Sequence, residues 1–229
     1  TLLSVSIDPR EGPQEAMLTK ARGLRGYDRP QGGDGWHLLT GDQATIDRLT
    51  RVDGSHETAI ARLALARFSQ MQHPVHAMYE PAFCVLAQGS KRVLLGNEVY
   101  IYDGSRYLVA SQNLPVSGQV IDASPESPYL GLRLLFDVKD IAALALEFGL
   151  GDTSPPSAPE RGIFTGELST ALLDPVLRLV KLLDTPEDVP ALAPLISREI
   201  LYRVLRSPDG WRLAQMAVVD SHSQRIAHA

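Results

Sequence analysis

The chain has 229 residues, 44% of them apolar, and a formal net charge of -5, enough apolar material for one sizeable core or two small ones. The acidic balance argues against nucleic-acid binding through a basic face, because duplex DNA carries about one negative charge per ~1.7 Å and would repel it. A single cysteine, Cys84, excludes an intrachain disulfide, and the chain holds neither an apolar run of the ~18 residues a membrane span needs nor a signal-peptide layout, so a cytoplasmic protein with no membrane partner is expected.

In chain order, Thr1 to Thr40 is rich in breakers and charges, with Gly32-Gly33-Asp34-Gly35 near its end, and is expected to be mostly loop or disorder. Trp36, Leu38 and Leu39 are available to pin its end. Gln43 to Val52 suits a short helix with Asp42 as N-cap, Ile46 and Leu49 on one face, and Gly54 as terminator. Leu63 to Phe68 is the first strand, after which His73-Pro74-Val75-His76 and Pro81 break the chain. Strands then follow at Phe83 to Gln88, Lys91 to Leu95, Glu98 to Tyr102, Tyr107 to Ser111, Val116 to Ile121 and Tyr129 to Phe136. Each is closed by a turn signal such as Gly89-Ser90, Gly96-Asn97 or Asp103-Gly104-Ser105. Short strands at regular spacing, with no helix-length segment between them, predict an antiparallel sandwich or small barrel. Phe83-Cys84-Val85-Leu86 is apolar on both faces, so one face must meet the interior and the other a covering helix.

Asp137 reads as an N-cap with Gly149 at the far end, and Ile141, Leu144 and Ala145 repeat at helical spacing between them. Leu150 to Glu160, with Pro155, Pro156 and Pro159, reads as a loop. Two longer amphipathic helices are predicted over Glu167 to Leu183 and Ala191 to Leu205. Pro175 implies a kink or an N-cap at Asp174, and Pro194 suits a first turn capped at about Ala193. Trp211 to Ala217 and Ser221 onward are short helical pieces.

His73, His76 and Glu80 form H-x-x-H-x-x-x-E, the residue types of a divalent-metal site, but Pro74 breaks any helix that would align the two imidazoles. Cys84 sits in an apolar strand with no base near it in sequence and reads as a core thiol. There is no G-x-S-x-G elbow and no Gly-rich phosphate loop, so no catalytic residue, metal or cofactor is assigned and an enzyme is not expected. Gln88, Tyr100, Tyr102 and Tyr107 offer amphipathic rings and an amide of the kind a small-molecule pocket uses, unless those rings face outward or pack under helices. In the two long helices, Leu172, Val176, Leu179, Ile196 and Ile200 fall on apolar stripes that either cover the barrel or meet a second copy across a two-fold axis.

The blocks YEPAFCVLAQGSKRVLLG, YLVASQNLPVSGQV and ASPESPYLGLRL, with DGSHETAI upstream and LISREILYRVL downstream, resemble the N-terminal domain of AraC-type transcriptional regulators from about Asp53 onward. The resemblance implies an α+β fold: a cupin-like antiparallel β-barrel (a double-sheet jelly roll) followed by an α-helical segment. It also implies a homodimer, an unidentified small-molecule effector, and DNA contact only through a C-terminal double helix-turn-helix that is missing here. Residues 1–41 would then be a poorly ordered extension, 42–136 the barrel, 137–217 the helical dimerisation segment and 218–229 the start of a linker helix, both ends being cuts. His56, inside the DGSHETAI block, is expected at the surface or near a helix end. Enzymatic cupins carry a G-x-H-x-H cluster on adjacent strands, whereas Lys91 to Val120 contains no histidine. A metal-dependent cupin enzyme, a structural dimerisation module with a filled barrel, and a small-molecule-binding protein outside transcription stay open as alternatives.

Overall fold

The structure, a computed structural model, describes residues 2–6, 36–40, 52–150 and 162–215. The helix expected at Gln43 to Val52, most of the loop before Glu160 and the helical start from Ser221 lie outside those residues. Strands β1 (Leu2–Ser6) and β2 (Trp36–Thr40) pair in parallel, Leu2 opposite Trp36, in a stretch expected to be mostly loop or disorder. The remaining strands are β3 (Gly54–Glu57), β4 (Leu63–Phe68), β5 (Val75–Tyr79), β6 (Ala82–Gln88), β7 (Ser90–Leu95), β8 (Glu98–Asp103), β9 (Arg106–Ala110), β10 (Leu114–Asp122), β11 (Tyr129–Leu135) and β12 (Ile163–Glu167). They form two antiparallel sheets, a six-stranded one in the order β12-β9-β6-β11-β4-β3 and a four-stranded one in the order β5-β10-β7-β8. The result is a double-sheet sandwich with helices, not a closed barrel.

The six-stranded sheet is the middle layer, because its central strands are apolar on both faces. One row, Leu63, Leu134, Phe83, Val109 and Phe164, crosses five strands in register and is buried against the helices. The alternate residues Cys84, Leu86 and Leu108 are buried against the four-stranded sheet with Val93, Val116 and Val120. Strict alternation decides which side chain meets which layer.

Helix α1 (Val138–Phe148) follows β11 directly, with Asp137 as N-cap accepting from the Lys139 N–H at 2.9 Å and Gly149 in the left-handed conformation as C-cap. Helix α2 (Thr170–Lys181) is capped by Ser169, and α3 (Val189–Leu205) has Pro190 in its first turn. The expected boundaries at Glu167, Asp174 and Ala193 are therefore corrected: Glu167 ends β12, and Pro175 and Pro194 lie inside their helices. Each proline removes a hydrogen bond to the carbonyl four residues back, at Ala171 and Pro190. Both of those residues are exposed, so water can take the freed acceptor. A further helical stretch covers 211–215.

The strands β3, β5 and β12 were not predicted. Each lies at a sheet edge, and β5 is exposed along nearly its whole length, so it carries none of the alternation that marks a half-buried strand.

Arg62, at φ 68°, closes the β3–β4 loop, and its carbonyl accepts from the Leu135 N–H at 2.9 Å. Its guanidinium reaches Asp137 at 2.7 Å. The Lys139 N–H and then Arg62 hold the Asp137 carboxyl below the usual carboxylate range. A lowered folded value stabilises above the ordinary titration of aspartate near pH ~4 and is lost as pH falls through the folded value. Asp137→Ala should destabilise the chain by about 1 kcal/mol at neutral pH. The difference from the parent in urea midpoint should close in acid; a gap that persists there would mean the carboxylate is not its source.

Candidate functional site

The space between the sheets is not filled by aliphatic side chains alone. Lys91 on β7 stands opposite Tyr102 on β8 and Val120 on β10, so all three share the inner face. Tyr79 enters from β5, and the Lys91 ammonium lies 5.7 Å from the centroid of its ring. From the facing sheet come Cys84 on β6 and Tyr129 on β11, the latter 5.9 Å from the Phe68 ring.

Two glycines make this arrangement possible. A Cβ at position 118 would stand 3.3 Å from the Tyr79 hydroxyl and 3.4 Å from Lys91 Cε, so a side chain there would crowd the pair. A Cβ at 131 would stand 2.6 Å from the Tyr129 hydroxyl, so that ring lies back along its own strand over the missing side chain.

Burial pushes the Tyr129 phenol up to about 12 and the Tyr102 phenol well above its ordinary range. The Cys84 thiol is raised for the same reason, Lys91 and Arg133 opposing only in part. For Lys91 burial works against the charge, but Tyr129, Tyr79 and Cys84 outweigh it and hold the ammonium above its ordinary value. At neutral pH the raised Tyr102 and Tyr129 phenols and the Cys84 thiol are neutral, so their charges support the Lys91 ammonium only at the alkaline pH where they ionise. Arg133, in register with Cys84 on the same face, reaches past Ala64 to Glu57 at 3.6 Å. Among the described residues no carboxylate forms an ion pair with Lys91. Such a set can donate hydrogen bonds and receive an anion; it offers no base at neutral pH.

Of the residues singled out in sequence, Tyr102 is buried here and Tyr100 is half-buried on the same face, its hydroxyl donating to the Glu98 carboxylate. Gln88, at the end of β6, donates to the Pro128 carbonyl at 2.7 Å. Tyr107 is elsewhere. The Asp103-Gly104-Ser105 turn carries the chain from the four-stranded to the six-stranded sheet. Tyr107 consequently packs in the helical layer, 5.5 Å from the Phe83 ring and across from Gly166. Leu172, Val176, Leu179, Ile196 and Ile200 are each at most 8% exposed and lie in this chain's own core. Their stripe covers the sheet, so they are not placed for contact with a second copy.

Sequence reading missed Tyr79, Lys91 and Tyr129. The signal for Lys91 was its parity with Val93 and Leu95; Tyr79 lay in an unrecognised strand. His56 is in β3, its Nε2 2.9 Å from the Val52 carbonyl oxygen. His76 is exposed on β5 and His73 precedes it, and among the described residues no three His, Cys, Asp or Glu side chains gather as a metal site. Among the described residues, surface clefts lie away from the interior cluster: one of about 700 Å³ beside Tyr107 and Arg203, one of about 590 Å³ beside Met78 and Leu94, and one of about 670 Å³ between Phe136 and Pro194.

These features define a double-sheet domain with a helical layer and, at the apolar inner faces of its sheets, a group of tyrosines around one half-buried lysine. Residues 59–212, more than half of the chain, match the family described as AraC-type transcriptional regulator N-terminus, and the chain belongs to that family. No curated protein matches it. Among solved structures, an apo variant of ToxT from Vibrio cholerae is 8% identical with a TM-score of 0.43, over 66% of this chain and 58% of that one. The AraC-like transcriptional activator CuxR is 13% identical with a TM-score of 0.42, over 71% and 62%. The CENP-C cupin domain of Drosophila melanogaster is 16% identical with a TM-score of 0.29, over 55% and 98%. This chain spans less than two thirds of the length of the two solved regulators.

Cys84 is buried and its thiol is raised, so it should react with DTNB at neutral pH about a hundredfold or more slower in the folded chain than in denaturing urea. Fast reaction without denaturant would mean that the space between the sheets opens freely to reagents.

Proposed function

We propose that this chain is the effector-sensing and dimerising part of a cytoplasmic AraC-type transcription regulator, that a small molecule binds between its two sheets, and that DNA is contacted by a helix-turn-helix domain outside this sequence. The observation that carries the reading is the Lys91, Tyr79, Tyr102 and Tyr129 cluster, a set of hydrogen-bonding groups where a purely structural sandwich would hold hydrocarbon. The raised thiol and phenols leave no activated nucleophile there, which favours binding over catalysis. No helix among the described residues is long and apolar enough to cross a membrane.

Two short routes lead from the site to the helices. β11 begins at Tyr129 and runs into Asp137, the cap of α1. The turn after Tyr102 is tied to α2, the Ser105 carbonyl accepting from the Leu168 N–H at 2.9 Å, one residue before the Ser169 cap. An effector shifts the helical layer only through different affinity for two of its arrangements, typically by ~1–3 kcal/mol. The outward face of α3 supplies a surface for a second copy, with Leu192 and Leu195 42% and 64% exposed.

With ring-labelled tyrosine, NMR spectra should show that an effector drawn from a metabolite panel shifts Tyr79, Tyr102 and Tyr129 and leaves Tyr107 and Tyr202 in place. Shifts confined to the latter two would move the site into the helical layer. Leu192→Asp with Leu195→Asp should sediment as a folded monomer; a dimer that survives both changes refutes that contact.

A further inference from the structure

We propose that the groove between the β3–β4 loop, the end of β11 and helix α3 is a ligand site separate from the space between the sheets, and that it takes an uncharged aromatic molecule carrying one N–H or O–H donor. The inference goes beyond the effector reading and does not depend on it. The groove has a volume of about 670 Å³, within the range of small-molecule sites. Ile60 and Phe136 lie buried at its floor, and Val189, Pro190 and Pro194 form its helix wall. Both prolines are exposed, and proline rings pack against aromatic ones wherever Pro-rich peptides are recognised.

The charges that line the groove are already matched. Arg62 meets Asp137 at 2.7 Å and Asp140 at 3.7 Å, and Arg198 pairs with Glu147. A charged ligand would lose hydration here and gain no counter-ion, so a neutral one is favoured. One polar group on the wall stays open. Pro194 has no N–H, so the Pro190 carbonyl lacks the donor that a helix supplies four residues on. Positions 190 and 194 are one turn apart on one face of α3, and both line the groove, so this oxygen and the Pro194 ring share a wall. A carbonyl only accepts, so the ligand must bring the hydrogen.

Titrations followed by NMR of ring-labelled phenylalanine and tyrosine test this with indole, 1-methylindole and indole-3-acetate. Indole should shift Phe136 and leave Phe68 and Tyr129, on the other side of the six-stranded sheet, in place. It should bind about three- to tenfold more tightly than 1-methylindole, which lacks the donor, and more tightly than the charged acetate. Pro194→Ala restores the helical N–H and should abolish the preference for indole over its methyl derivative. The assignment is overturned if indole does not bind up to its solubility limit, or if methylindole or the acetate binds as well. It is overturned equally by shifts confined to Phe68 and Tyr129, or by a preference that survives Pro194→Ala. The three compounds are ranked on the unaltered chain, so a misfolded variant does not protect the proposal. The effector reading fails separately, when no metabolite moves Tyr79, Tyr102 and Tyr129.

Discussion

A central sheet that is apolar on both faces cannot be left half covered, and the rest of the molecule answers that constraint. Phe83 and Val85 point to one side of β6, Cys84 and Leu86 to the other, and all four are buried. Each fully buried Leu, Val or Phe gains about 1.5–3 kcal/mol over its exposed state, so neither face is stable in water. Helices α1 to α3 cover one face and the four-stranded sheet the other. A slip of one residue along β6 would exchange the two sets of side chains, so the register is held from both sides at once.

Parity that places aliphatic groups correctly also places Lys91 inside. On β7 the inward set is Lys91, Val93 and Leu95, while Arg92 and Leu94 pair with the outward Ile101 and Val99. Among the described residues this cation meets the Tyr79 ring and the bare Gly118 and forms no ion pair. Arg133 and Glu57, 3.6 Å apart and both open to water, face each other at the margin of the same face.

The strands from Leu63 to Leu135 apart from β5 were legible because turn residues close each one around a short run rich in apolar residues. The edge strands were not: β5 is exposed, and β3 and β12 are too short for a period to show. Helix α1 was legible at both ends because its caps are residues that make cap geometry, Asp137 and Gly149. The start of α2 was misplaced because Leu168, buried in the connection before it, continues the apolar rhythm of the helix backward. Tyr102 lies between the sheets as its grouping with Tyr100 implied, while Tyr107 does not, since nothing in Asp103-Gly104-Ser105 reveals that the turn joins two different sheets. The stripe through Leu172, Val176, Leu179, Ile196 and Ile200 shows apolar spacing equally well for a partner chain or for the chain's own sheet. Only packing distinguishes them, and it assigns the stripe to the sheet.

The two routes from the interior cluster to the helical layer differ in stiffness. Strand β11 is hydrogen-bonded on both sides, to β4 and to β6, and its far end is fixed by the Leu135 N–H donating to Arg62 and by the Arg62–Asp137 pair. Displacing it means breaking two ladders together. Strand β8, which carries Tyr100 and Tyr102, is the edge of its sheet and among the described residues pairs only with β7. Moving it disturbs one ladder, and its turn hands the motion through Ser105 to Leu168 and the cap of α2. In α2, Arg178 is paired with Glu199 of α3, so the two helices are linked at their surface as well as through their buried faces. Movement of Tyr102 would therefore disturb β8 and the cap of α2 before β11 and α1, which two ladders and the Arg62–Asp137 pair hold in place.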